Sequence, residues 1–203
     1  MELSNLNIKN GLCISLGANI DSKFGSPLES LLICKPKIEE IVNEWGDSSN
    51  EKIEELINEW GDNFNKQIEE KRKFHANFFW SSIYETLPHG ADNEQPNYLN
   101  TLLLIKSNSF PTPSNKNAKL LLKELKKLEK FFGREKTPKG KKWLSRCLDL
   151  DILWWEDFHT IDEELTLPHP RFMNRNFVIT PLSEILSRKQ KITKFDDPKL
   201  SIY

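Results

Sequence analysis

A chain of 203 residues is long enough for one well-buried core and too short for two ordinary enzyme domains. Its 29 Lys and Arg nearly balance 30 Asp and Glu, so the formal charge of −1 excludes a global field that draws in nucleic acid or an acidic membrane. Twelve Phe and six Trp supply bulky apolar surface, which argues against a disordered chain.

The first ten residues lack the apolar core of a signal peptide, and no run approaches the roughly 20 apolar residues that span a bilayer. A cytoplasmic location, away from any membrane, is expected. Leu12 to Gly17 alternate as a strand, with Leu12, Ile14 and Leu16 on one face and Cys13 and Ser15 on the other. Cys13, Cys34 and Cys147 are odd in number and far apart, which fits neither a metal-ligand spacing nor a disulfide framework. A loop containing Gly25 and Pro27 follows the strand. From Pro36 to about Lys73 the pattern turns helical and charged, and IEEIVNEWGD at 38–47 returns as IEELINEWGD at 53–62. Ile38, Ile41, Val42 and Trp45 recur as Ile53, Leu56, Ile57 and Trp60, which is helical spacing. Gly46 and Gly61 suit C-terminal caps, so two short amphipathic helices are predicted. Two copies are too few for a solenoid.

A strand is predicted near Phe78 to Glu85, then a loop rich in Pro, Gly and Asn through Pro96, then a strand from Tyr98 to Ile105. Asn115 or Asn117 starts a helix whose apolar face is Ala118, Leu121, Leu125, Leu128 and Phe132, ending at Gly133. A basic loop spans 134–146, the strand CLDLDILWW spans 147–155, and a short helix near Ile179 to Leu186 follows LPHPR at 167–171. This order implies an α+β sandwich of ferredoxin-like type, a mainly antiparallel sheet with helices on one side. One domain over 1–203 is expected, with a helical insertion at about 36–73.

Alternation along 147–155 places Leu148, Leu150, Ile152 and Trp154 on one face and Cys147, Asp149, Asp151 and Leu153 on the other. Two carboxylates roughly 6–7 Å apart on one face repel, and a divalent cation removes that repulsion. Hard oxygen ligands favour Mg²⁺, which binds one or two carboxylates together with substrate phosphates. On its own Asp-x-Asp reads as readily as a polar strand face. Its company is more informative. Arg134 and Arg146 bracket a loop carrying Lys136, Lys139, Lys141 and Lys142, the cations a polyphosphate needs, although an exposed basic loop is the plainer alternative. Pro138 and Gly140 suit a mobile lid. His169, confined between Pro168 and Pro170, is a candidate donor to a phosphate oxygen or simply a surface residue. Tyr98 and Asn100 share a face that suits a flat heterocycle. Core packing is the alternative for them, as for Trp143 and Phe177.

Taken together, the blocks ISLGAN (14–19), SSIYETLP (81–88), QPNYLN (95–100), LEKFFGRE (128–135), WLSRCLDLDIL (143–153) and LTLPHPRFMNRNFVITPL (165–182) make the chain resemble the 6-hydroxymethyl-7,8-dihydropterin pyrophosphokinases. These folate-pathway enzymes move a diphosphate from ATP to a pterin alcohol. The resemblance implies that Asp149 and Asp151 bind two Mg²⁺ ions bridging the ATP phosphates, and that Arg134 and Arg146 hold phosphates. It places His169 and Arg175 on the triphosphate, with Leu122, Ile152 and Thr166 near the nucleotide. The pterin would stack between Tyr98 and Phe177, its polar edge read by Asn100 and the backbone around Thr86 and Leu87, while Trp143 closes over the site. The family often carries arginine where Lys136 stands, Thr-Pro-Pro where this chain has Thr86-Leu87-Pro88, and Trp-Gly-Pro-Arg where it has Trp143-Leu144-Ser145-Arg146. Lysine keeps the charge but loses the bidentate fork.

The partners so implied are the small molecules ATP and pterin, with no nucleic acid and no membrane, and the chain is expected to be a monomer. Three other readings compete. An ordinary kinase or nucleotide hydrolase uses the same parts. A nucleic-acid module would need an aromatic RNP motif and a basic surface, and neither is present. A non-catalytic protein acting through the helical repeat would not need Asp149, Asp151, Arg146 and His169.

Overall fold

The computed structural model describes residues 11–48, 76–88, 95–135 and 144–192, and within them the alternating segments become one sheet. β1 (Leu12–Ala18) is buried along its whole length, because β4 (Tyr98–Ser107) pairs on one side of it and β5 (Asp149–Trp155) on the other. β2 (Ala76–Trp80) and β3 (Tyr84–Thr86) pair successive stretches of β4. The strand order is β2-β4-β1-β5, and every pairing is antiparallel. β6 (Thr160–Ile161) and β7 (Thr166–Leu167) form a second, two-stranded sheet, whose Leu167 joins the main core. The chain is therefore α+β with a mostly antiparallel sheet.

The single strand expected over 78–85 is two strands. Buried Ser81 explains the break: its hydroxyl, in place of a backbone carbonyl, accepts the Leu102 N–H at 2.9 Å. The ladder is interrupted there and resumes at Tyr84.

α1 runs from Pro27 to Ser48, so it begins where a loop was expected and continues through Gly46, which was expected to end it. Its start has a sequence signature after all. The Ser26 hydroxyl accepts the Glu29 N–H at 3.4 Å while the Glu29 carboxylate accepts the Ser26 N–H at 2.8 Å, a reciprocal cap with Pro27 at the first helical position. Pro36 sits on the exposed face, and the helix continues through it despite the lost N–H. Ile38, Val42 and Trp45 of the first repeat copy are core residues, packed with Leu31 and Cys34 against the sheet. Tertiary packing thus overrides the glycine, and this half of the expected insertion belongs to the body of the protein. The second copy, 53–62, lies outside the described residues.

α2 (Asn115–Phe131) is capped by Ser114, whose hydroxyl accepts the Asn117 N–H at 3.2 Å. Its predicted face is the one buried: Ala118, Leu121, Leu125 and Leu128, with Phe132 just beyond. Both α1 and α2 cover the sheet face formed by Leu12, Ile14, Leu16, Leu103, Ile105, Leu150 and Ile152.

The expectation of helices on one side fails at α3 (Asn176–Ile192), which also extends well beyond the predicted 179–186. Its Val178, Leu182 and Ile185 pack with Cys13, Leu102, Leu104, Leu153 and Trp154, residues of the opposite face. A β-bulge helps to build that layer. Cys13 pairs with Trp154 and Ile14 with Ile152, so Leu153 is an extra residue in β5. Leu153 and Trp154 both face α3, and Trp155 returns to the α1–α2 side. Trp154 therefore lies on the face opposite to the one simple alternation assigns.

Glu184 ties α3 to the sheet. It accepts the Ser82 N–H at 2.8 Å, the Ser82 hydroxyl at 2.7 Å and the Tyr84 hydroxyl at 3.1 Å, and pairs with Arg188. Partial burial opposes its charge, but the two bonds from Ser82, then those of Tyr84 and Arg188, outweigh it and hold the carboxyl below the usual glutamate range. A depressed folded-state pKa gives stability that is complete above the unfolded pKa and is lost as pH falls through the folded one. Glu184→Gln is expected to lower stability by about 1 kcal/mol at neutral pH. The difference from the parent should shrink in urea titrations repeated near about pH 3.

Candidate active site

Register across β1 and β5 sets Ser15 opposite Asp151 and Gly17 opposite Asp149. Both carboxylates share the sheet face with Leu153, but they lie at the end that the α3 layer leaves partly open, with side chains 22% and 33% exposed. The bulge comes after them, so the two-residue spacing keeps its predicted geometry.

Three arginines converge there from separate elements. Gly133, at φ +104°, turns the chain out of α2, a backbone conformation that side-chain-bearing residues rarely adopt, and so brings Arg134 back toward β5. Arg134 Nη1 reaches Asp149 Oδ1 at 2.6 Å, and Arg146 Nη1 reaches Asp149 Oδ2 at 2.5 Å. Arg175, just before α3, stands 3.7 Å from Asp151 Oδ2 with its guanidinium carbon 5.3 Å from the centre of the Phe177 ring. Burial alone would raise the Asp149 pKa, but Arg146 and then Arg134 outweigh it and hold the carboxyl below the usual aspartate range. Asp149 is thus fully committed to guanidiniums, while Asp151 has only a long contact.

Arg146 is placed by a residue outside the expected set. Asn19, 2% exposed, accepts the Arg146 N–H on Oδ1 at 2.7 Å. Its amide nitrogen donates to the Pro96 carbonyl at 3.1 Å and to the Ser145 hydroxyl at 3.2 Å, and its own backbone N–H donates to the Arg146 carbonyl at 2.9 Å. The Tyr98 hydroxyl adds a bond to the Leu144 carbonyl at 3.1 Å. The loop preceding β4 and the segment leading into β5 are therefore tied together through the end of β1.

His169 is anchored by its N–H to the Leu153 carbonyl at 2.7 Å, and its Nδ1 accepts the Arg171 N–H at 3.2 Å. Nε2 then carries the hydrogen of the neutral ring. Burial, followed by Arg175, pushes its pKa below the usual histidine value despite the opposing pull of Asp151, so the ring is neutral at physiological pH.

On the other side of the face, Asn100 is 6% exposed and donates to the Thr86 hydroxyl at 2.7 Å. Gly17 makes room for this amide, since a Cβ there would stand 2.9 Å from Asn100 Oδ1. Tyr98 shares the Asn100 face of β4, and Phe177 packs at the margin of the α3 layer. Leu87 follows β3 with 78% of its surface exposed.

Not every expected residue converges. Ile152 is 3% exposed and faces the α1–α2 layer, where Leu122 also packs, so both lie across β5 from the two carboxylates. Thr166 is on β7, opposite Ile161. Trp143, Lys136, Lys139, Lys141 and Lys142 lie outside the described residues. Two residues went unread, Asn19 and Glu129. For Glu129 a signal existed: it falls one turn after Leu125, an acid at a core position of α2.

Among the described residues no group of three or more His, Cys, Asp or Glu could hold a metal ion. Asp149 and Asp151 supply two hard oxygen donors on one face, a third of an octahedral site, and a polyphosphate and water would have to supply the other ligands. Mg²⁺ fits that donor set. No helix among the described residues is long and apolar enough to cross a membrane.

A family model described as 7,8-dihydro-6-hydroxymethylpterin-pyrophosphokinase matches residues 48–187. A 2-amino-4-hydroxy-6-hydroxymethyldihydropteridine pyrophosphokinase of Haemophilus influenzae is 38% identical over 107 residues, 53% of this chain and 60% of that protein. The Bacillus subtilis protein of the same name is 36% identical over 111 residues, 55% of this chain and 60% of its own. A folate synthesis bifunctional protein of Arabidopsis thaliana is 36% identical over 124 residues, 61% of this chain and 22% of the longer protein. The chain thus spans 60% of the length of the Haemophilus influenzae and Bacillus subtilis relatives.

Proposed function

This chain belongs to the 7,8-dihydro-6-hydroxymethylpterin-pyrophosphokinase family, and from that membership we propose that it transfers diphosphate from ATP to the hydroxymethyl group of 6-hydroxymethyl-7,8-dihydropterin, releasing AMP for folate synthesis. One observation carries the reading to these residues: three guanidiniums surround two strand carboxylates on a half-open sheet face. Guanidiniums gathered on a half-open face suit a bound triphosphate.

On this reading Asp149 and Asp151 would hold two Mg²⁺ ions, which withdraw charge from the transferring phosphates. Arg134 and Arg146 release Asp149 and turn to phosphate oxygens, and Arg175 and the Nε2–H of His169 donate to the same chain of phosphates. Tyr98 and Phe177 supply faces for the pterin ring, and Asn100, with Thr86 beside it, reads its polar edge near Leu87. Leu122, Ile152 and Thr166 are assigned to the nucleoside by family membership alone, since Leu122 and Ile152 pack in the α1–α2 layer, and Trp143 would close over both substrates. No side-chain nucleophile is required. The pterin hydroxyl attacks the β-phosphorus in line, AMP leaves, and the protein contributes position and charge.

The strand order and the two crossovers through α1 and α2 support a ferredoxin-like arrangement in a single domain, to which α3 adds a layer. A monomeric, cytoplasmic enzyme acting on small molecules fits this reading. The test is chromatography of nucleotides after incubation with ATP, Mg²⁺ and the pterin alcohol. Pterin-dependent AMP is expected. ADP alone, or nucleotide turnover indifferent to pterin, would rule the assignment out.

Gly17 offers a narrower check on the pterin side. Gly17→Ala sets a methyl against Asn100 Oδ1 and must displace the amide. The pterin KM is expected to rise roughly tenfold, the size of one lost hydrogen bond in a buried site, while the ATP KM changes little.

A further inference from the structure

Glu129 is a buried carboxylate that the chemistry above leaves without a task. It is 2% exposed, on the inner face of α2, and Leu128 and Leu125 flank it. Its Oε1 receives three donors: the Leu150 N–H at 2.7 Å, Lys126 Nζ at 2.8 Å, and Arg134 Nη1. Leu150 is the residue between Asp149 and Asp151, so one oxygen fixes the strand at the midpoint of the carboxylate pair. The same Arg134 Nη1 that bonds Glu129 also reaches Asp149 at 2.6 Å. Burying a charge this deeply is costly unless its partners need it. Structural need alone is an incomplete reason, because a neutral acceptor would satisfy the Leu150 N–H and Lys126 is 43% exposed and able to turn to water.

We propose that Glu129 is a positioning residue that holds Arg134 in place when Asp149 gives up its arginines to metal and nucleotide. This rests on the functional reading above. Among the described residues Arg146 forms an ion pair with Asp149 alone and so can swing to phosphate. Arg134, kept by Glu129, stays beside the carboxylate pair with its remaining donors available to a phosphate oxygen. Without the Glu129 charge, Arg134 leans on Asp149 alone and competes with the cation for it.

The experiment uses the full chain and the variants Glu129→Gln, Arg134→Ala and the double variant, with thermal unfolding as the control for folding. Glutamine keeps an acceptor for the Leu150 N–H and removes the charge. In Glu129→Gln the concentration of Mg²⁺ needed for half-maximal turnover should rise, and kcat should fall, by about tenfold to a hundredfold, as for a residue supporting a metal ligand. The pterin KM should stay within about twofold, since no substrate contact has changed. Mn²⁺ binding in the presence of a non-hydrolysable ATP analogue, read by electron paramagnetic resonance, should weaken in parallel. In the Arg134→Ala background, Glu129→Gln should add almost nothing, because its effect passes through Arg134. Full additivity of the two substitutions, or an unchanged metal requirement in a folded Glu129→Gln protein, would overturn the proposal. Should Glu129→Gln lose its fold, Glu129→Asp takes its place with the same cycle. If Arg134→Ala itself leaves ATP-dependent turnover intact, it is the underlying functional reading that fails instead.

Discussion

Asp151→Ala is expected to lower turnover by at least about a thousandfold at saturating Mg²⁺ while the protein remains folded, the scale on which lost charge stabilisation acts in a water-poor site. The structure separates the two halves of that expectation. Asp151 has 33% of its side chain exposed, and its closest cation is Arg175 at 3.7 Å. Truncating it removes no core contact and leaves no buried donor stranded, so stability should change by under about 1 kcal/mol. Its oxygens are less committed to protein cations than those of Asp149, which suits a metal ligand. Steady-state rates across a Mg²⁺ titration, with circular dichroism as the check on folding, decide the point. A variant that kept near-normal turnover at high Mg²⁺ would mean that Asp151 does not hold the metal.

Arg146→Ala should cost on the order of a hundredfold to a thousandfold in kcat, as expected for a cation that meets charge developing on transferring phosphate. The backbone of Arg146 is tied to Asn19 through the Arg146 N–H at 2.7 Å and the Arg146 carbonyl at 2.9 Å. Neither bond involves the side chain, so the segment keeps its course in the variant and the loss reports the guanidinium. Asp149 would keep Arg134 at 2.6 Å. Arg146→Lys should recover part of the rate, since charge returns without the fork that grips two oxygens. Rapid-quench measurement of a single turnover would show whether the deficit lies in the transfer step. Equal rates for Arg146→Ala and the parent in that experiment would remove Arg146 from the chemistry.

Periodicity made some of this architecture legible and concealed the rest. β1 and α2 could be read closely because their apolar residues face one continuous layer and nothing interrupts the repeat. Trp154 was misread because a bulge adds Leu153, and no pattern of side chains announces an extra residue in a strand. The start of α1 was written in Ser26-Pro27-Leu28-Glu29, but a proline and a nearby glycine made the segment resemble a loop. Gly46 failed to stop the helix because Trp45 is held by the core: its ring meets Trp155 at 5.0 Å and its Nε1 donates to the Asn117 carbonyl at 2.9 Å. Both partners are distant in sequence, so the override could not be seen locally.

The candidate site divides in the same way. Asp149 and Asp151 needed only strand alternation, and Arg134 and Arg146 needed only proximity to them. Asn19 and Glu129 act through bonds to other elements, and a single buried polar residue has no period to reveal it. Ile152 differs again: the motif alone carries it to the site, while its side chain faces the other layer.

ATP radiolabelled at the β-phosphorus tests the central claim most directly. With the pterin alcohol and Mg²⁺ present, label is expected to pass to the pterin product and the released AMP to carry none. Label retained in ADP, with an unlabelled monophosphorylated pterin beside it, would contradict diphosphate transfer at this site.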